Sequence, residues 1–210
     1  MTIEVTAALL QSAVKGLAAS RAPQWVGPIN ETIRTFQIGT PMRLADFLAQ
    51  TGHESLGFAL VRELWGPSQV PAQVTYERDL TKPWGPGLRR GDRNFKAYNL
   101  GNVAQGDGFR YRGRGLIQNT GRGNYAKARD GLRAILGASV VPDFEADPAA
   151  MEQPRWAAMS AGLFWANNGL NGYADAQDFG GQTERINGGR NGWDDRLSRR
   201  VQARRALGLS

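Results

Sequence analysis

The sequence of 210 residues contains no cysteine and only one histidine, His53. Without cysteine the fold cannot depend on a disulfide, and the sequence carries no trace of the redox state of its compartment. Zinc in proteins is held mainly by cysteine and histidine, so this composition argues against a zinc site. We therefore predict a protein that needs no metal ion and no other cofactor.

Long apolar runs are also missing. The N-terminal run at residues 5–19 is only mildly apolar and contains Gln11 and Lys15. It is too short and too polar to cross a bilayer, and its flanks lack the pattern of a cleavable signal peptide. We expect no transmembrane segment and no self-export, so the predicted location is the cytoplasm. A substrate outside the membrane would be reached through a pore formed by another protein.

Acidic residues are fewer than basic ones, 19 against 26, and the net charge is +7. Such an excess is typical of a protein with an anionic partner, which includes nucleic acids, acidic cell-wall polymers and anionic membrane surfaces. The charge alone does not choose among these partners. The length is sufficient for one domain with a full core.

Apolar residues recur mostly at helical spacing, which predicts a mainly α-helical chain. Helices are expected at residues 4–19, 28–36, 124–136, 154–169, 178–186 and 194–207, in addition to one that begins at Pro41. Residues 116–120 are expected to be a short extended piece that presents Gln118 and Thr120.

The last predicted helix has an apolar and a basic side. The spacing puts Leu197 and Val201 inward and leaves the arginines mostly outward, namely Arg196, Arg199, Arg200, Arg204 and Arg205. A basic face of this kind fits contact with an anionic outer-membrane surface, although a solvated face explains it more simply.

Residues 66–115 are rich in glycine and proline and show little periodicity. A stretch of this length without regular structure is usually functional inside a compact domain, so we predict a loop-rich lobe or the wall of a cleft. Aromatic faces suit sugar rings and nucleobases alike. Such residues are spread through this stretch and its edge: Trp65, Tyr76, Trp84, Tyr98, Phe109 and Tyr111.

Residues 43–63, RLADFLAQTGHESLGFALVRE, place two glutamates, Glu54 and Glu63, on either side of Gly57. Thr40 and Pro41 are typical of a helix start just before this stretch. Glu54 lies seven residues after Phe47 and therefore on nearly the same helix face. We expect apolar packing beside the Glu54 carboxyl group, where burial favours the protonated form that a general acid needs.

A single helix through Glu63 would turn the two carboxyl groups to opposite faces, because nine residues rotate by about 100° each. Gly57 can end the helix, since glycine adopts the left-handed conformation at little cost. With a turn at Gly57 the pair predicts the acid and base of a glycoside hydrolase. For an arbitrary pair of glutamates, two solvated carboxylates are the commoner explanation. A lone histidine such as His53 is more often a hydrogen-bonded structural residue than a ligand.

Several separate stretches, in this order, resemble glycoside hydrolase family 19, in particular the phage endolysin branch of these chitinase-like enzymes. They are RLADFLAQTGHES, the EL at Glu63, WGPSQVPAQ, LGNVAQGDGFRYRGRGLIQNTGRGNY, LFWANNGLNGYAD and INGGRNGWDDR. The resemblance implies a mainly α, lysozyme-like fold with two lobes and a deep substrate cleft. We expect a single catalytic domain over residues 1–210, without a separate cell-wall-binding module. Residues 78–97 form an expanded segment relative to many relatives.

The resemblance assigns roles to individual residues. Glu54 matches the general acid, Glu63 the general base and Thr120 the position that helps to hold the attacking water. A further group of residues matches positions that contact the substrate or steady the carboxylates. We place five residues in this group: His53, Gln118, Asn124, Asn187 and Arg196. Family members invert the anomeric centre without a metal, and an inverting pair of carboxyl groups lies about 6.5–9.5 Å apart so that water fits between them.

We therefore expect a monomeric endolysin that hydrolyses the β-1,4 glycosidic bonds of peptidoglycan during host lysis. A chitinase that acts on poly-N-acetylglucosamine is an alternative within the same family. A lytic transglycosylase, which needs one catalytic glutamate and no hydrolytic water, is another. A basic nucleic-acid-binding or wall-binding protein without catalysis is disfavoured by the ordered motifs, and the glycine pattern TGRGNYA lacks the strands of a dinucleotide fold.

Overall fold

The computed structural model describes residues 3–65 and 71–209. Over these residues the chain is mainly helical, and its extended pairing is limited to isolated bridges from Arg114 to Arg62 and to Asn119. This architecture confirms the predicted mainly α fold. In the same residues no helix is both long enough and apolar enough to span a membrane. Residues 66–70, within the WGPSQVPAQ stretch, lie outside the described residues.

The helices of the described chain are mostly short. In chain order they are α1 Ala7–Ala13, α2 Ala22–Thr35, α3 Pro41–Glu54, α4 Pro71–Val74, α5 Phe95–Asn99, α6 Asp107–Arg110, α7 Arg122–Leu136, α8 Pro154–Asn167, α9 Leu170–Asp175, α10 Phe179–Asn187 and α11 Trp193–Ala206, with a 3₁₀ helix at Pro148–Glu152 between α7 and α8.

The chain divides into two compact units. The first contains the chain up to Val61, Gly115–Ile117 and the chain from Gln153 onward, and the second contains Arg62–Arg114 and Gln118–Glu152. The first unit therefore holds α1 to α3 and α8 to α11, whereas the second holds α4 to α7 and the 3₁₀ helix. The second unit includes most of the predicted loop-rich lobe and continues beyond it. The expectation of one catalytic domain stays a prediction.

The first unit is built around α3, which packs against α11, while α2 packs against α8. The start of α3 is as predicted, because the Thr40 side chain accepts a hydrogen bond from the Arg43 amide and Pro41 occupies the first turn. Phe47 is fully buried, and its ring packs nearly perpendicular to that of Trp165 with the centroids 5.3 Å apart. Full burial of such a side chain contributes about 1.5–3 kcal/mol.

Two predicted helices have the wrong bounds. The one predicted at residues 4–19 is only Ala7–Ala13, and Val14 and Leu17 are buried by a turn that uses a left-handed Gly16 (φ 87°). The one predicted at residues 28–36 begins at Ala22 and carries Pro28 in its interior. Packing of Trp25, Ile29 and Ile33, all buried, outweighs the cost of that proline.

The predicted extended piece at residues 116–120 is also wrong. Residues 115–118 form a turn between Arg114 and Asn119, whose backbones exchange hydrogen bonds of 3.0 and 2.8 Å. The short helix α9 is absent from the sequence predictions. By contrast, α7, α8, α10 and α11 lie within two residues of their predicted bounds.

The predicted orientation of α11 is reversed. Leu197 and Val201 are 38% and 41% exposed, whereas Arg196 and Arg199 are 2% and 8% exposed. Arg200 also points inward and binds the buried Asp46 of α3 at 2.7 Å. Burial raises the pKa of Asp46 more than the hydrogen bond from Arg200 lowers it. Most arginines of the proposed basic face thus pair with carboxylates of the first unit. The predicted contact with a membrane surface stays a prediction.

The core of the second unit combines two tyrosines with a buried arginine. Tyr111 and Tyr125 pack edge to face with ring centroids 5.3 Å apart. Arg114 is 5% exposed and donates to Glu152 at 2.7 Å and to the Tyr125 hydroxyl at 2.9 Å. Burial raises the pKa of Tyr125 to about 12. This network fixes the residues that precede and follow Gly113.

Candidate active site

Glu54 is the last residue of α3, and the chain then turns sharply. Leu56, Gly57 and Phe58 all have positive φ angles, 49°, 71° and 64°. A Cβ atom on Gly57 would lie 2.5 Å from the carbonyl oxygen of Lys15, closer than real contacts allow. The predicted helix break at Gly57 is therefore confirmed, and strain of this kind is often stored at functional sites.

The Glu54 carboxylate is fixed by Arg196, which lies in α11. Nη2 of Arg196 donates to Oε1 of Glu54, Nη1 donates to Gln50 Oε1 at 2.5 Å and Nε donates to the Asn191 carbonyl at 3.1 Å. Gln50 lies one turn before Glu54 on α3, and its amide donates to Thr183 Oγ1 at 2.8 Å. The sequence predicted apolar surroundings for this carboxyl group, and the structure instead gives it a buried guanidinium partner.

Asn187 and His53 lie close to this network. The Asn187 amide donates to the same Asn191 carbonyl as Arg196, at 3.2 Å. His53 Nδ1 is 2.7 Å from Asp195 Oδ2, and its ring packs against Gly192. Of the residues predicted for the site, the first unit thus brings together Glu54, His53, Asn187 and Arg196.

Asp195 links His53 to the rest of the first unit. It also accepts a hydrogen bond from Arg199 Nε at 2.6 Å and lies 3.7 Å from Lys15 Nζ. Burial raises the pKa of Asp195, but hydrogen bonds from Arg199 and His53 outweigh this effect and bring the pKa to about 2. The ionised form of Asp195 is therefore part of the folded state.

We expect Asp195→Asn to change the acid stability of the protein. A carboxyl group with a depressed folded-state pKa stabilises the fold above its unfolded pKa of about 3.9, and this contribution is lost as the pH falls toward about 2. Because the side chain is 38% exposed, we expect a loss of only about 1 kcal/mol at neutral pH. Urea unfolding of Asp195→Asn should show a flatter decline between about pH 4 and pH 2 than the wild type. Asp194→Asn, its exposed neighbour, is the control, and identical slopes for wild type and Asp195→Asn would contradict the assignment.

Glu63 lies in the second unit, in an extended segment that pairs with the chain at Gly113. The Glu63 amide donates to the Gly113 carbonyl at 2.8 Å, and the Gly113 amide donates to Glu63 Oε2 at 3.1 Å. Gln73 Nε2 donates to Glu63 Oε1 at 3.2 Å and to the Leu64 carbonyl at 3.1 Å. Both oxygens of the carboxylate therefore accept hydrogen bonds from fixed donors.

Gln118 and Thr120 lie beside the same Gly113, and Asn124 is hydrogen-bonded to Thr120. A Cβ atom on Gly113 would be 2.8 Å from Gln118 Oε1 and 3.3 Å from Thr120 Oγ1. The Thr120 hydroxyl donates to the Gln118 carbonyl at 3.0 Å, and the Asn124 amide donates to the Thr120 carbonyl at 2.7 Å. Gln118 has a φ of 55°, which is rare for a residue other than glycine. The second unit thus brings together Glu63, Gln118, Thr120 and Asn124.

We expect Gly113→Ala to impair activity more than stability. The added methyl group would displace the flexible Gln118 side chain and press on Thr120, so the fold can adjust while the site is disturbed. Hydrolysis of soluble N-acetylglucosamine oligomers should fall by at least about tenfold, because small displacements at a reacting centre are costly. The melting temperature should stay close to that of the wild type. Gly27→Ala, which adds the same methyl group in open space, is the control, and unchanged kcat in Gly113→Ala would refute the role of this contact.

Sequence reasoning missed several residues of these networks. Gln50 and Asp195 position the Glu54 and His53 side chains, and Gln73 and Gly113 position Glu63. Tyr76 is also close to this carboxylate: burial raises the pKa of Tyr76, and the charge of Glu63 raises it further. The sequence did contain two signals of these networks. Gln50 and Glu54 are spaced four residues apart, about one helical turn, and glycines stand close together in the GRG stretch. Within residues 3–65 and 71–209 no group of three or more metal-binding side chains is close enough to hold an ion.

Comparison with known proteins places the chain in a family. No family model matches the sequence. A glycosyl hydrolase family 19 domain-containing protein of Haemophilus influenzae is 33% identical over 162 residues, which cover 74% of this chain and 75% of the relative. The chain belongs to glycoside hydrolase family 19. As a family 19 member it is a glycoside hydrolase.

Solved structures of family 19 chitinases share the fold. Chitinase C from Streptomyces griseus aligns with a TM-score of 0.63 at 19% identity, over 98% of this chain and 77% of that one. A bacterial family 19 chitinase gives a TM-score of 0.64 at 18% identity, over 99% and 97% of the two chains. A class IV chitinase from Zea mays gives a TM-score of 0.56 at 18% identity, over 97% and 90%. The predicted family 19 chitinase-like fold is confirmed.

Proposed function

We propose that this family 19 enzyme is an endolysin that hydrolyses the β-1,4 glycosidic bonds of bacterial peptidoglycan by inversion, with Glu54 as general acid and Glu63 as general base. The observation that carries this proposal is that each of the two carboxyl groups is held in place by hydrogen bonds from fixed donors. Glu54 accepts a hydrogen bond from the buried Arg196, and Glu63 accepts hydrogen bonds from the Gly113 amide and from Gln73. Fixed side chains of this kind are what positioned acid–base catalysis requires.

The proposed reaction proceeds in one displacement. Glu54 donates its proton to the glycosidic oxygen as the bond from that oxygen to the anomeric carbon breaks. Glu63 takes a proton from a water molecule, whose oxygen attacks the anomeric carbon from the opposite face, so that the product has the inverted configuration. No covalent enzyme intermediate and no metal are required for these steps.

Thr120 is proposed to hold the attacking water. Its hydroxyl hydrogen is committed to the Gln118 carbonyl, so the hydroxyl oxygen is left to accept a hydrogen bond from water. Gln118, Asn124, Asn187 and His53 are proposed to contact the N-acetylated sugar, and Arg196 is proposed to steady Glu54. These assignments rest on the resemblance to the family together with the contacts within each unit.

Peptidoglycan is the proposed polymer because of charge and motif pattern. A net charge of +7 favours an acidic wall polymer over an uncharged one. The motif series resembles the phage endolysin branch, which supports a role in host lysis after synthesis in the host cytoplasm and passage through a pore formed by another protein. Chitin is the second candidate substrate, because the solved structures that share the fold are named chitinases.

The substrate proposal is tested with two purified polymers. Purified sacculi and soluble chitin oligomers are incubated separately with the enzyme, and the released fragments are identified by mass spectrometry. We expect soluble muropeptides from sacculi at a rate well above the cleavage of chitin oligomers. Products from chitin oligomers without any from sacculi would replace the proposal by the chitinase alternative.

A further inference from the structure

The second unit contains a cavity that none of the proposed catalytic residues lines. Its volume is about 400 Å³, and its walls include Trp84, Leu88, Lys82, Asp92 and Arg93. Cavities that bind small molecules start at about 300 Å³, so one or two sugar rings fit this size. The cavity lies within the expanded segment at residues 78–97.

The wall of this cavity is held in place by Asn94. Its side chain is 1% exposed, and its amide donates to the carbonyl oxygens of Asp79, Lys82 and Pro83 at 2.8, 3.3 and 3.0 Å. Its oxygen accepts a hydrogen bond from the Asp79 amide at 2.8 Å. One buried side chain therefore ties the loop that carries Trp84, and a preformed loop loses little entropy on binding.

Trp84 is itself fixed from two sides. The guanidinium of Arg78 lies 4.5 Å from the centroid of the indole ring, and the Tyr98 ring meets it nearly edge-on at 5.1 Å. The indole is half-buried and contributes to the cavity wall. A rigid, partly exposed indole offers apolar surface at little cost in side-chain entropy.

We propose that this cavity is a second saccharide-binding site, which takes an N-acetylhexosamine unit of the glycan strand. The ring packs against Trp84, and its N-acetyl methyl group packs against Leu88 and Pro83. Lys82 and Arg93 donate hydrogen bonds to sugar oxygens, and Asp92 accepts them from sugar hydroxyls. An apolar surface with a few polar groups on its rim is the usual composition of such a site.

The site would act on polymers and not on short substrates. The cavity and the catalytic residues belong to the same protein molecule. A glycan strand that is bound at the cavity therefore has a raised effective concentration of its other sugars at the catalytic residues. A short oligomer bound for hydrolysis gains nothing from a second site. This second binding site goes beyond the proposed function, because it requires only that the enzyme is a glycoside hydrolase that acts on a glycan.

The test is Trp84→Ala, measured on polymeric and short substrates. Co-sedimentation with insoluble sacculi and with insoluble chitin gives the affinity for each polymer, and hydrolysis of soluble N-acetylglucosamine oligomers gives the rate on short substrates. For whichever polymer the wild type binds, Trp84→Ala should bind about tenfold more weakly, the size expected for truncation of a buried aromatic contact. Hydrolysis of the short oligomers should stay within about twofold of the wild type, and Trp84→Phe should recover part of the polymer binding.

Leu80→Ala is the control, because Leu80 is a 62% exposed apolar residue of the same unit that does not line this cavity. Undiminished polymer binding by Trp84→Ala would overturn the site. An equal loss on polymer and on short oligomers would also overturn it, since Trp84 would then serve the catalytic reaction or the fold. If peptidoglycan proves to be the wrong substrate, the binding of the variants is compared on chitin. The proposed second site and the proposed peptidoglycan substrate can therefore be refuted independently.

Discussion

Glu54→Gln should lower hydrolysis of purified peptidoglycan by at least about a hundredfold, the usual contribution of a positioned general acid. Glutamine keeps the shape of the side chain and an oxygen that can accept the hydrogen bond from Arg196, but it has no acidic proton for the leaving group. The carboxyl group of Glu54 can carry a charge that balances the guanidinium of Arg196, which is 2% exposed, and the amide of glutamine cannot. We therefore expect a lower stability, by about 1–2 kcal/mol, with the helix content unchanged.

The matched control is Glu31→Gln. Glu31 binds Arg155 through two hydrogen bonds of 2.9 and 2.7 Å, so this variant also removes a glutamate–arginine pair of the first unit. Because both partners are partly exposed, its effect on stability should be below about 1 kcal/mol, and its activity should equal that of the wild type. Undiminished hydrolysis by Glu54→Gln, with circular dichroism like that of the wild type, would refute Glu54 as the acid.

Gly57→Ala should destabilise the first unit by about 2–4 kcal/mol and reduce activity with it. The residue has a φ of 71°, where an L-amino acid is strained by about 1–2 kcal/mol. A Cβ atom would also lie 2.5 Å from the Lys15 carbonyl oxygen, which is backbone and cannot rotate away. The chain must shift at the point where it leaves Glu54, so thermal unfolding and hydrolysis should change together.

Gly169→Ala separates strain from steric overlap. Gly169 has a φ of 66°, close to that of Gly57, but a Cβ atom there meets nothing within 4 Å. It should cost only the strain, about 1–2 kcal/mol, and leave the rate of hydrolysis unchanged. Equal losses of stability in the two variants would show that the contact with Lys15 contributes nothing.

The sequence predicted the parts of the site that depend on local chemistry. The start of α3 at Thr40 and Pro41 and the break at Gly57 follow from capping and from the conformational freedom of glycine, which act over a few residues. The family followed from several motifs in a fixed order. The roles of Glu54 and Glu63 remain predictions that Glu54→Gln and Glu63→Gln test, and the role of Thr120 likewise remains a prediction.

The orientation of α11 could not be predicted from its own residues. The hydrophobic pattern predicted that Leu197 and Val201 point inward. In the structure α11 instead packs against the carboxylates of α3 and directs its arginines toward them. Burial of an ion pair depends on both partners, so the pattern of one helix is insufficient. Asp46, Gln50 and Glu54 lie four residues apart on the core helix α3, and this polar row was the signal that a complementary row of arginines was needed.

The contacts of Glu63 were likewise beyond local reasoning. Its partner Gln73 is ten residues away and Gly113 is fifty residues away. Such contacts depend on how the loops of the second unit fold together, which glycine-rich sequence does not determine by periodicity. The same reason explains the failure at residues 116–120, where the flanking Gly115 and Gly121 allowed either an extended segment or a turn.

The most direct test of the two-glutamate mechanism is mass spectrometry of the chain ends that form when purified peptidoglycan is digested by the wild type, by Glu54→Gln and by Glu63→Gln. We expect the wild type to generate new reducing ends, each of which has gained one water, and we expect both variants to lose this product. The identity of the terminal sugar also shows which of the two glycan linkages is cut. Ends with a 1,6-anhydro sugar, or full activity of Glu63→Gln, would contradict the mechanism and favour a lytic transglycosylase.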